Sequence, residues 1–361
     1  MWFSTFSTFT DTDRKVDDNF KANLSFDLYF IRGIAIFLVI IGHVVGKSNN
    51  DGIRQLYSPP IFSLSWLGDF IYTFHMPVFF IVSGIAFSVF SNKNASYISF
   101  FKSKFIKLFI PLVCWVPPFF ILHALIKHQT FNVTDLVCAV IFPYDIFWFI
   151  HALIFATLFA FICFKVLRSP SIYYVLSIIV VLVYLQNYSV IGGYNYIIYW
   201  NIIYASGVFI AHYLPRVYSI MGKLSVISTL AILASGITLM NIVELSPIRY
   251  DLTKIINGAI AFLLMYTIAI TGRKIVSLRK SNKFLQLLNN NIFYLGKISL
   301  VIYVLHIYFV TSTRILLIKF GITQPIIHLV LGCLAATLGP VIIYKLLQKR
   351  SRVFRYSLGE G

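Results

Sequence analysis

The chain has 361 residues, 59% hydrophobic and 17% aromatic, with only 12% charged and a mean hydropathy of +0.84. That composition excludes a soluble domain of this length and points to repeated membrane spans. The net charge of +18 would suggest nucleic acid in a soluble protein. No basic face lies on a soluble module here, so it is read as basic loops beside an anionic leaflet, with no nucleic-acid partner.

Residues 1–24 are polar and charge-mixed and lack a continuous apolar core, so they read as a cytoplasmic tail rather than a signal peptide. Ten helices are then expected, near 27–46, 70–90, 105–126, 146–166, 171–187, 196–214, 223–243, 254–272, 292–312 and 324–347. The apolar stretch 132–143 is short and ends in Pro143, and reads as interfacial or re-entrant. Arg168-Ser-Pro-Ser171 makes a tight turn between two spans. Residues 349–361 form a basic tail, leaving 25–348 as one membrane domain. The fold class is thus all-α and polytopic. The four cysteines, Cys114, Cys138, Cys163 and Cys333, are scattered and suggest neither a zinc site nor a disulfide framework.

Lysine and arginine set the orientation. With the N-terminus placed in the cytoplasm, 21 of the 30 fall in inner segments, 7 in outer loops and 2, Arg32 and Lys297, within spans. Both termini are therefore expected in the cytoplasm.

Arg32 and His43 share the first span, and ionisable groups at such positions are expensive and point to function. Eleven residues correspond to about 1100° of helix, or three turns and roughly 20°, so both side chains share a face, roughly 16 Å apart. Both are expected to face one lipid-embedded crevice. The orientation puts His43, His75, His151 and His306, on four helices, in the outer leaflet, with Arg32 in the inner half. His123, His128, His212 and His328 read as interfacial, with no role assigned. Asp69 either pairs with a histidine or caps the second helix, and Asp27 is a possible ion-pair partner for Arg32.

Three stretches carry a resemblance to a known family. They are Arg32-Gly-x-Ala-(x)7-His43, Tyr72-Thr-Phe-His-Met-Pro-Val-Phe-Phe-Ile-Val-Ser-Gly84 and Ser299-Leu-Val-Ile-Tyr-Val-Leu-His306, with a weaker fourth in Trp148-Phe-Ile-His-Ala-Leu153. They resemble the acyltransferase type 3 family of integral-membrane O-acyltransferases, and most closely the branch that includes fucose 4-O-acetylase. Where the family often carries two arginines before Leu-x-x-Pro, this chain has Lys104-Phe-Ile-Lys107-Leu-Phe-Ile-Pro111. Lysine keeps the charge and loses the bidentate fork.

The resemblance implies transfer of an acyl group, acetyl by default, from cytoplasmic acetyl-CoA to a hydroxyl of a cell-surface or lipid-linked glycan, in a bacterial cytoplasmic membrane. Read physically, His43 is the candidate general base and His75 its orienting or oxyanion-stabilising neighbour. Arg32, Lys102, Lys104 and Lys107 form a basic set suited to the anionic donor. Trp148, His151, Tyr303, His306 and Asp69 are candidates for acceptor binding, with Tyr303 and Trp148 suited to stacking on sugar rings. Ser83-Gly84 reads as a small-residue packing element. No metal or prosthetic group is expected. The alternatives are a lipid-linked glycan flippase or transporter, which would also line a cavity with ionisable residues, and a metal or haem protein.

Overall fold

The computed structural model describes residues 18–92, 95–186, 195–242, 252–278, 282–348 and 352–360. Most of the notional N-terminal tail lies outside them. Among the described residues the chain is helical throughout, without a strand. The helices are α1 (Asp18–Val45), α2 (Phe62–Phe90), α3 (Tyr97–Lys104), α4 (Ile110–Ile126), α5 (Val133–Ile141), α6 (Trp148–Ile162), α7 (Pro170–Gln186) and α8 (Asn195–Ile210). They continue with α9 (Leu214–Met221), α10 (Val226–Ile242), α11 (Leu252–Leu278), α12 (Lys283–Lys297), α13 (Ser299–Lys319), α14 (Pro325–Leu347) and α15 (Arg352–Ser357).

Seven helical stretches among the described residues are long and apolar enough to cross a membrane, or eight when Ile197–Ile210 and Leu214–Met221, bent by 65°, count as one span. Two more apolar helices, Pro170–Val183 and Ile227–Ile242, are shorter. The expected ten therefore stand here as seven or eight full-length spans. The stretch 132–143, expected to lie apart from the spans, forms α5 and runs through a turn at Asp145–Phe147 into α6, and Val133–Leu167 makes one apolar stretch of 35 residues.

Two boundaries move in ways that matter. α2 begins at Phe62, eight residues before the expected start, so Asp69 lies in its second turn and does not cap it. The helix expected at 292–312 is two helices. α12 is amphipathic and ends at Lys297, and α13 starts anew at Ser299. A close approach to α1 accompanies that break. A Cβ on Gly296 would fall 1.7 Å from the Tyr29 carbonyl oxygen, and one on Gly33 would fall 2.0 Å from that of Ile292. With no lipid-excluding gain between apolar helices, such small-residue contacts are what hold them together.

α2 packs on α8 in the same way. A Cβ on Gly84 would lie 2.1 Å from the Tyr204 carbonyl oxygen, and one on Gly207 would lie 2.2 Å from that of Ile81. Ser83-Gly84 is thus a packing element through Gly84, and Ser83 turns to a cavity beside it. On the other side α1 is fixed to α11 by an ion pair. Arg273 donates from Nη2 and Nε to the two carboxylate oxygens of fully buried Asp27, at 2.9 and 3.1 Å. That bidentate pair engages Asp27 with Arg273 and not with Arg32, contrary to the sequence expectation. Residues 352–360 fold back on the domain. Trp115 Nε1 donates to the Ser357 carbonyl at 2.8 Å, and the Tyr344 hydroxyl bonds to Glu360.

Candidate active site

Two cavities lie along α1. The first, about 670 Å³, takes His43 from the last turn of α1, Tyr72 and His75 from α2, Trp148 from α6, Trp200 from α8 and Tyr303 from α13. The second, about 600 Å³, takes Tyr29 and Arg32 from α1, Ser83 from α2, Lys104 and Lys107 from the start of the third span, Lys297 from the end of α12, and Tyr303 again. Arg32 and His43 therefore share a helix face, as their spacing predicts, but open into different chambers. The single crevice expected from sequence is two, and Tyr303 belongs to the wall of both.

In the first chamber the histidines form a cluster. The His43 ring lies 5.0 Å from that of His306, and its Nδ1 lies 3.5 Å from the Tyr72 hydroxyl. Tyr72 in turn meets the His75 ring edge-on at 4.9 Å. The tautomer of His75 is fixed by its own helix: Nδ1–H donates to the Ile71 carbonyl at 2.6 Å, which leaves the Nε2 lone pair for another partner. Pro77, two residues on, has no N–H to donate to Thr73, so the helix is short of one backbone bond beside the cluster.

His306 is fully buried and lines neither chamber; it stands behind His43. Its Nδ1–H donates to the Tyr303 carbonyl at 2.7 Å, and Nε2 has no hydrogen-bond partner among the described residues. His151 lines neither chamber. Its two ring nitrogens face the Phe147 and Val140 carbonyls at 3.2 and 3.0 Å, tying α6 back to α5. Asp69 is likewise spent elsewhere: it accepts from Arg54 at 2.9 Å, and Arg54, 7% exposed, also holds Asn49 Oδ1 at 2.9 Å. This clamp shapes the loop between α1 and α2. Trp148 does reach the chamber, its ring 4.9 Å from Trp200.

Sequence reasoning missed Trp200, Asp145 and Asp51 here, and Lys297, Tyr29 and Tyr204 in the second chamber. It also passed over His123, which lines the first chamber and bonds through Nδ1 to the Tyr144 hydroxyl at 3.0 Å. The signal for Lys297 was present. A lysine inside a supposed span is expensive, and the break after it puts that charge on a helix end.

The second chamber carries four cations, Arg32, Lys104, Lys107 and Lys297, and no carboxylate among its described lining. Arg32 is half-buried, lies 5.8 Å over the Tyr29 ring, and has no carboxylate within ion-pair distance among the described residues. Lys104 lies 5.2 Å over the Phe100 ring. Lys102, expected in this set, is exposed and lines no chamber. Two residues along a helix are about 200° apart, so Lys102 and Lys104 face opposite ways. A π turn at Phe105–Phe109 then sets Lys107 on the cavity side.

Among the described residues no three His, Cys, Asp or Glu side chains converge as a metal site would require. In chemical terms, the first chamber can accept a proton and pack a flat polar ring, and the second can hold an anion.

Comparison with known proteins gives the family of the chain. Nodulation protein NolL of Mesorhizobium japonicum is 32% identical over 160 residues, which cover 43% of this chain and 38% of NolL's own length. No solved structure matches. The acyltransferase-domain model of the type 3 acyltransferases matches residues 25–345, which takes in nearly every helix and both chambers apart from Gly359, and the chain therefore belongs to that family of membrane acyltransferases.

Proposed function

We propose that the protein is a membrane-embedded O-acetyltransferase. It moves an acetyl group from cytoplasmic acetyl-CoA to a hydroxyl of a cell-surface or lipid-linked glycan. The observation that carries this reading is the pair of chambers: one lined by four cations without a carboxylate among its described lining, the other by three imidazoles and two tryptophans, with one tyrosine between them.

The lysine and arginine bias supports a cytoplasmic mouth for the cation-lined chamber. Arg32, Lys104, Lys107 and Lys297 hold the phosphates of coenzyme A there. The pantetheine arm, roughly 15–20 Å when extended by the usual reach of a bonded chain, brings the thioester towards the level of His43. The acceptor enters the other chamber from the opposite side and lays a sugar ring against Trp148.

His43 takes the hydroxyl proton at Nε2 while Nδ1–H rests against the Tyr72 oxygen. The hydroxyl oxygen bonds to the thioester carbonyl carbon, the C–S bond breaks, and the departing thiolate takes up a proton as free coenzyme A. The products are an ester and a thiol. His75, with its tautomer set by Ile71, offers Nε2 as a second hydrogen-bond acceptor to the sugar. A positioned base of this kind contributes about 10²–10⁴-fold.

The test is mass spectrometry of surface glycans from cells with and without the protein. The expected result is the mass increment of one acetyl group replacing a hydroxyl hydrogen, present only with the protein. Identical glycan spectra in both would end the reading.

A further inference from the structure

We infer that Tyr303 is the septum between the two chambers and sets the length of acyl chain the protein transfers. This rests on the acyltransferase reading above and goes beyond it, from acetyl as a default to a physical cause for a short acyl group.

Among the described residues Tyr303 is the one that lines both chambers. It is 4% exposed and held on all sides. Its hydroxyl donates to the Ile146 carbonyl, in the turn that joins α5 to α6. One side of its ring meets Phe149 at 5.1 Å, and Phe149 lines the cation chamber. The Tyr303 ring also lies 5.9 Å from the His306 ring, which backs His43. Its backbone carbonyl fixes the His306 tautomer.

A thioester whose phosphates sit among Arg32, Lys104 and Lys107 must bring its carbonyl carbon to the Tyr303 ring to meet a hydroxyl held at His43. Beyond that carbon the acyl tail runs into aromatic wall. Phe79 and Phe149 lie 5.7 Å apart, and Phe80 packs on Phe149 at 5.1 Å. In this pose each methylene added to the acyl tail presses further on these packed rings. Tyr303 exchanges no atoms in the reaction: the C–O bond forms, the C–S bond breaks and the proton passes to His43 whether or not the ring is large. It is a specificity-determining residue, anchored at its hydroxyl so that the ring cannot swing aside.

The experiment measures free-thiol release from acetyl-, butyryl- and hexanoyl-CoA by the purified full chain in detergent, with a total membrane glycolipid extract as acceptor. The wild-type protein should prefer acetyl over butyryl by about 100-fold, since each misfit methylene is worth roughly tenfold or more. Tyr303→Leu should raise the butyryl-to-acetyl ratio at least about tenfold. Tyr303→Phe, which only frees the ring from Ile146, should raise it less. An unchanged ratio in either variant overturns the proposal, as does a wild-type protein indifferent to chain length. A uniform loss across all donors in both variants makes the ring purely structural and also overturns it. No thiol release from any donor by the wild-type protein overturns the acyltransferase reading itself, and this with it.

Discussion

The two chambers are built by different rules. The cation-lined chamber takes its charges from helix ends and from the mouth of the third span: Lys104, Lys107 and Lys297, with Arg32 alone coming from inside a span. Its charges are of one sign, long-stemmed and partly exposed, and suit a flexible polyanion whose exact pose matters little. The histidine chamber has mixed charge, with Asp51 and Asp145 set among lysines, and short stiff rings held at one nitrogen each: His75 by the Ile71 carbonyl, His43 by the Tyr72 hydroxyl and His123 by the Tyr144 hydroxyl. One end of the molecule grips and the other orients. The proposed reaction, between a large anionic donor and a neutral hydroxyl, uses both.

Five substitutions press on that contrast. The largest effect is expected from His43→Ala, which should lower turnover by about 10²–10⁴-fold with donor KM unchanged. Steady-state kinetics on protein that remains monodisperse measures both, and an equal loss in turnover and donor binding would erase the distinction between the chambers. Next, Arg32→Ala and Lys107→Ala should each raise acetyl-CoA KM by about tenfold or more, the worth of one charge-assisted hydrogen bond, with turnover at saturation retained. Lys102→Ala serves as the internal control, with donor KM unchanged; a rise there equal to that for Lys107 would mean that only overall positive charge matters. The smallest effect is expected from Trp148→Ala. It should weaken acceptor use about three- to tenfold, in line with the modest worth of an aromatic contact, and leave donor KM alone. Isothermal titration with acetyl-CoA against the same variant checks the second half.

The sequence was most informative where one helix settles the question. Arg32 and His43 lie three turns apart on α1 because helical periodicity alone places them. It was least informative where a second element decides. That the two open into different chambers depends on α13 pushing Tyr303 between them, which no spacing within α1 encodes. The same holds for Asp69, whose partner Arg54 comes from the preceding loop, and for Asp27, whose partner Arg273 lies 246 positions away. His151 looked like its three neighbours by depth. Only the α5–α6 turn shows that both its nitrogens face backbone carbonyls. Helix boundaries misled where polarity was ambiguous: α12 carries enough apolar residues on one face to merge with α13 in a hydropathy reading, although its other face is polar.

The fold-back of residues 352–360 bears on anyone who handles this protein. Gly359 is part of the cation chamber's wall, and with φ of 77° it accepts a conformation that side-chained residues resist; a Cβ there would also fall 2.7 Å from the Lys107 carbonyl oxygen. What reads as a dispensable basic extension is therefore masonry. A purification handle or fluorescent fusion joined directly after Gly359 would sit at the wall of the cation-lined chamber, so such labels belong on another exposed loop.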